Sequence, residues 1–189
     1  NISVAAVALK DDLGWTETQK GVVLSAFFVG YLLLMAVTGA LANRYGGWLV
    51  LGVAVLWWSA WTALTPPAAM MSFGALIAAR IALGLGEAAV FPASMNMISR
   101  WVPPERRSRA TALIISAISL GTVFALPATG WLVREFGWAL PFYLFGALGL
   151  VWYAAWHFLA RDDVPASSSA APAQTAHRAI PWGRLLRLP

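Results

Sequence analysis

The chain has 189 residues, 60% of them hydrophobic and 11% charged, with a formal net charge of +5. Soluble domains carry roughly 45–50% apolar and about 25% charged residues, so this is the composition of an integral membrane protein. With no cysteine, disulfides, thiolate catalysis and Cys-based metal sites are excluded, and the two histidines, His157 and His177, lack metal-ligand spacing.

Residues 1–9 are apolar and read as the tail of a span whose start is missing, so the chain is expected to be a fragment. Thr16-Glu17-Thr18-Gln19 then has the form of a capping box. In that motif a Thr hydroxyl and a Gln three residues on satisfy free backbone N–H groups at a helix start. No charge falls between Lys20 and Arg44, between Arg109 and Arg134, or between Glu135 and Arg161. Each gap holds the roughly 20 apolar residues needed to cross the hydrocarbon core. The longer gap from Arg44 to Arg80 is divided by Pro66-Pro67, a turn signal. Spans are therefore expected over 21–42, 48–64, 73–101, 110–133 and 138–160, and the fold class is all-α, a polytopic membrane helix bundle. Beyond it, 162–175 is rich in Ala, Ser and Pro and reads as a flexible linker. Residues 180–187 open either an interfacial helix or the approach to a further span.

Arginine marks the sides. Loops on one side carry Arg44, then Arg100, Arg106, Arg107 and Arg109, then Arg161; those on the other carry Lys10, Lys20 and Arg134. By the positive-inside rule the first set is cytoplasmic, which puts the N-terminus in the cytoplasm. A multi-pass protein of a bacterial inner membrane is expected. The basic charge is thus a topology signal and calls for no nucleic-acid partner.

Two charges break the pattern, Arg80 and Glu87 within 73–101. A charge at the bilayer centre costs at least ~2.5–3.5 kcal/mol on insertion scales, so such residues usually lie on polar pathways. They are about two helical turns apart and point the same way. Arg80 lies ~12 Å inside the outer face at helical rise, and Glu87 about another 10 Å deeper.

Thr38-Gly39-Ala40-Leu41-Ala42-Asn43-Arg44-Tyr45-Gly46 returns as Thr129-Gly130-Trp131-Leu132-Val133-Arg134-Glu135-Phe136-Gly137, with Thr, Gly, Leu, an aromatic and Gly at the same offsets. Three spans separate the copies, so the pattern is an inverted repeat of three helices plus three, common in secondary transporters. Ala78, Ala82 and Gly86, and Ala117, Gly121, Ala125 and Thr129, recur at intervals of four. Small residues so spaced let membrane helices approach closely.

At these residues the chain resembles the N-terminal half of a major facilitator superfamily transporter, with the first helix truncated. The segment Gly39 to Gly47 resembles the superfamily's loop motif between helices two and three, which implies a gating role for Gly39, Asn43, Arg44 and Gly46. It departs from the motif at Asn43, where the family has Asp, and at Gly47-Trp48, where basic residues often follow. More narrowly the chain resembles the anion:cation symporter family, through Ser25 to Tyr31, Arg80 to Ala88, Phe91-Pro92-Ala93, Trp101 to Ala110 and Gly137-Trp138. Met35 stands where that family often has Gln. The resemblance covers almost all of residues 1–160. It implies a transmembrane half over 1–160 and a cytoplasmic inter-half loop over 161–189, with the C-terminal half of the same transporter as the missing partner.

Arg80 offers a planar fork of donors suited to a carboxylate or phosphate, so it either holds the anionic group of a substrate or pairs with a buried carboxylate on another helix. Glu87 either carries a coupled proton or is a fixed counter-ion to Arg80; their axial separation favours separate roles. Tyr31, in the middle of its span, either presents its hydroxyl to substrate, as the resemblance implies, or packs. Ser94 and Asn96 are expected to bond neighbouring helices, and His157 to be interfacial. The resulting expectation is proton-coupled symport of an organic anion, with anion, proton and membrane lipid as partners, no cofactor, no metal and no enzymatic activity. The rivals are a drug-efflux antiporter, whose Gly-rich fifth-span motif fits residues 121–130 poorly, and a transporter-like sensor that binds without moving its ligand.

Overall fold

The computed structural model describes residues 15–160. The readings made for 1–9, 162–175 and 180–187 lie outside the described residues. Helix α1, Glu17–Tyr45, starts at the expected capping box: the Gln19 N–H donates to the Thr16 hydroxyl (3.2 Å) and the Thr16 N–H to the Gln19 side chain (2.9 Å). Then follow α2, Gly47–Met71, α3, Phe73–Glu87, and α4, Val90–Trp101. A 3-10 turn, Pro104–Arg106, leads into α5, Arg107–Phe136, and α6, Leu140–Leu159, closes the described chain. Among the described residues all regular structure is helical, and five segments are long and apolar enough to cross a membrane: Glu17–Tyr45, Gly47–Met71, Phe73–Trp101, Pro104–Phe136 and Leu140–Leu159. These match the five expected spans, in the all-α architecture of a superfamily N-terminal half.

Two boundaries differ from expectation. Helix α2 does not stop at Pro66-Pro67; it runs through both to Met71. The proline φ is already helical, and a buried membrane helix tolerates the missing donors when nearby hydroxyls and neighbours re-satisfy the backbone. The Thr62 and Thr65 hydroxyls fold back onto the carbonyls of Trp58 (2.7 Å) and Trp61 (2.8 Å); the carbonyls that lose a proline donor are those of Thr62 and Ala63, four residues before each ring. The real stop is Ser72, extended in backbone, whose side chain caps α3 by accepting from the Ala75 N–H at 3.1 Å.

Conversely, the span expected to be one helix over 73–101 breaks at Ala88-Ala89, directly after Glu87. Pro92 has no N–H to give the carbonyl of Ala88 four residues back. The Thr38 hydroxyl of α1, 3.2 Å away, serves that carbonyl instead, and also lies 2.9 Å from the Met35 carbonyl.

Helix α1 packs mainly on α3, and α2 on both α3 and α6. At the α1–α3 crossing the backbones touch. A Cβ on Gly30 would strike the Ile81 carbonyl, and one on Gly84 the Phe27 carbonyl. The close approach therefore uses Gly30 and Gly84 and not the row Ala78, Ala82, Gly86, where Ala78 is exposed and Gly86 receives the Trp57 indole. The second small-residue row is also largely open: Ala117 and Gly121 are exposed on α5, and only Thr129 is fully buried. One apolar cluster joins Val23, Ala69, Leu76 and Phe142; a second, at the other end, joins Ala42, Leu51, Val55, Ala93 and Met97.

The repeat read in the sequence has a conformational counterpart. Gly46 (φ 87°, ψ 146°) and Gly137 (φ 85°, ψ 167°) end α1 and α5 in the same backbone state, one that residues with a Cβ avoid. Each donates its N–H to the carbonyl four residues back, 3.0 Å away.

Candidate functional site

The site is built on the α1–α3 crossing. Helix α3 carries Arg80 one turn before Gly84 and Glu87 at its last position. Gly84 lets the Phe27 turn of α1 lie against it, which brings the Phe27 ring to the Arg80 head: the guanidinium carbon stands over that ring, 5.6 Å from its centroid. A cation over an aromatic face is stabilised by ~0.5–1 kcal/mol when exposed and by about 2 kcal/mol or more when desolvated. Arg80 is 6% exposed, and its Nε is buried without a hydrogen-bond partner among the described residues. Trp57 of α2 braces the same stretch of α3, its indole N–H donating to the Ala82 carbonyl at 2.7 Å.

Glu87 is half-buried, and among the described residues Arg80 and Glu87 make no direct ion pair; Lys20 with Glu17, at 3.6 Å, does. Tyr31 is half-buried, one turn along α1 from Phe27, with the two ring centroids 6.0 Å apart and 33° between planes. Arg80, Phe27 and Tyr31 thus form a continuous run, and Glu87 lies two turns along the same helix from Arg80. A groove of about 580 Å³ lies along α1, α2 and α3, but its lining, which includes Leu34, Thr38, Trp57 and Gly86, is apolar and contains none of Arg80, Glu87 and Tyr31. Phe27 stands in the segment 25–31, in the middle of its span. Its four-residue spacing from Tyr31 was visible there; its pairing with Arg80 depends on the helix crossing.

The loop-motif residues form a second, separate cluster. Asn96 of α4 ties down the α1–α2 turn: its amide N–H donates to the Asn43 side-chain oxygen (3.0 Å) while its own oxygen accepts from the Gly47 N–H (3.0 Å). Arg100 donates to the Asn43 carbonyl at 3.4 Å. Gly39 is half-buried beside Pro92, and Arg44 is exposed over the Tyr45 ring, 5.3 Å from its centroid. Gly46 supplies the positive φ. The carboxylate of the family motif is thus replaced by a neutral amide pair.

Of the other residues singled out, Ser94 is buried and His157 is exposed within an end cluster of aromatic rings, 5.8 Å from Trp48 and 6.0 Å from Tyr153. In the arginine cluster Arg107 has a local task, donating to the carbonyls of Val102 (3.0 Å) and Ser99 (2.6 Å) and so closing the α4–α5 turn. Among the described residues no group of three His, Cys, Asp or Glu is placed to hold a metal.

Comparison with known proteins adds to this geometry. The family model described as Major Facilitator Superfamily matches residues 1–189. The chain is similar to "Probable anion transporter 4, chloroplastic" of Oryza sativa subsp. japonica, with 37% identity over 100% of this chain and 34% of that protein. It is similar to "Sodium-dependent phosphate transport protein 1, chloroplastic" of Arabidopsis thaliana, with 42% identity over 82% of this chain and 30% of that protein. With sialin of Ovis aries it shares 32% identity over 92% of this chain and 37% of that protein. The chain spans about a third of the length of the curated relatives it matches. Several are chloroplastic by name, and they lend no support to the bacterial inner membrane expected from the sequence.

Proposed function

The chain belongs to the Major Facilitator Superfamily, and on that premise we propose that it forms the N-terminal half of a secondary transporter performing proton-coupled symport of an organic anion, a sugar acid or another carboxylate. It is part of a multi-pass integral membrane transporter whose relatives are named for anion, phosphate and ascorbate transport. In this reading residues 1–160 are the transmembrane half, 161–189 a cytoplasmic loop to the second half, and the Arg44 and Arg100–Arg109 ends of the helices face the cytoplasm.

Arg80 binds the anionic group, Tyr31 contributes its hydroxyl to the same substrate, and Glu87 carries the proton. Protonation of Glu87 removes the negative charge that would repel the incoming anion; the anion engages Arg80; the two halves rock about the site; release to the cytoplasm lets Glu87 lose its proton. The amide-tied turn at Gly39, Asn43, Arg44 and Gly46 acts as the gating loop. The observation that carries the reading is Arg80 itself: a buried guanidinium whose Nε has no hydrogen-bond partner among the described residues, over a neutral ring, and not directly ion-paired to the Glu87 of its own helix. A buried cation in that state favours an anionic ligand.

The test is uptake of labelled gluconate, ascorbate or phosphate by the full-length protein in proteoliposomes. Arg80→Lys keeps the charge but loses the planar fork. One charge-assisted hydrogen bond contributes ~1.5–3 kcal/mol, so KM should rise about tenfold or more. An unchanged KM would remove Arg80 from the substrate site.

A further inference from the structure

We propose that Phe27 is a positioning residue for Arg80, holding the guanidinium by its ring face so that the cation's in-plane donors stay available to the anion. This rests on the reading that Arg80 binds the anion. Arg80 sits in a buried setting and makes no direct ion pair among the described residues; Glu87, two turns along the same helix, acts on it only at a distance, and the Phe27 ring centroid lies 5.6 Å from the guanidinium carbon. A carboxylate in that place would occupy the donors and cancel the charge. An aromatic face attracts the cation while leaving both intact.

The ring is itself held. Phe27 is half-buried, meets Phe28 edge-on with centroids 5.3 Å apart, and leans on Tyr31 at 6.0 Å. Its backbone is pinned where a Cβ on Gly84 would strike the Phe27 carbonyl. The crossing thus fixes ring and guanidinium relative to each other, and Phe27 links the two substrate-facing side chains, Arg80 and Tyr31.

Fluorinated phenylalanines at position 27 provide the test, because they keep the shape and fold while weakening the negative ring face stepwise. In the full-length protein in proteoliposomes, KM for labelled gluconate, ascorbate or phosphate, whichever the unmodified protein takes up, should climb through the mono-, di- and trifluoro residues. We expect about tenfold in total, with the maximal rate and the melting temperature little changed; Phe27→Tyr should restore KM and Phe27→Leu should not. In an Arg80→Gln background the series should have no further effect. A flat KM across the series, with Arg80→Gln still raising KM, would overturn the role of Phe27 and leave that of Arg80 standing. If Arg80→Gln leaves KM unchanged, the anion-binding reading itself fails.

Discussion

A charge in an apolar span is expensive, and the helical period puts Arg80 and Glu87 on one side of α3; the company they keep is set by the helix crossing. Phe27 is 53 residues from Arg80 in the chain (80 − 27), and only the glycine-mediated crossing makes them neighbours. Asn43 shows the same division. Its departure from the family's Asp was visible, whereas its amide pairing with Asn96 and the reach of Arg100 to its carbonyl required the fold. This suggests an experiment on one side chain. Asn43→Asp would place a carboxylate beside the Arg100 guanidinium while keeping an acceptor for the Asn96 amide. Exposed pairs contribute ~0.2–1 kcal/mol and are screened by salt. The melting temperature in detergent should therefore rise slightly at low salt and return to the parent value in molar salt.

At the scale of elements, three spans follow from charge-free gaps and two more from the segments either side of the Pro66-Pro67 pair, but proline was misleading in both directions. Pro66-Pro67 looked like a stop and lies inside α2. Pro92 looked like an internal residue of one helix, yet the helix divides at the carbonyl it leaves without an N–H. At Ala88 the substitute donor is the Thr38 hydroxyl, 50 residues away in sequence and supplied by another helix. Thr38→Val keeps the shape and removes that donor, leaving a buried carbonyl unmet at a cost of ~1–3 kcal/mol. The loss should appear as a lower melting temperature. Pro92→Ala restores the local N–H, so Thr38→Val should cost less in that background; equal cost in both would contradict the account of the break. The repeat was legible as spacing, and the shared positive-φ state of Gly46 and Gly137 gives it a physical reason, since both end long helices in a conformation reserved for glycine.

For the whole molecule, the all-helical bundle followed from composition and span length, while the way its helices pack did not. Periodic spacing says which residues share a face and not which face meets a neighbour: Ala82 and Gly86 meet the Trp57 indole of α2, while Ala117 and Gly121 of the second row stay exposed. The α1–α3 crossing, with Gly30 and Gly84 at its centre, organises the candidate site, and α5 leaves most of its length uncovered among the described residues. In the proposed cycle the two charges of α3 have different jobs, the buried Arg80 holding the anion and the half-buried Glu87 the proton. The most direct test compares two assays of the full-length Glu87→Gln protein in proteoliposomes: accumulation of labelled anion driven by an inward proton gradient, and exchange of the same anion across the membrane without a gradient. We predict that accumulation is lost while exchange persists. Proton-driven accumulation at the unmodified level would contradict the assignment.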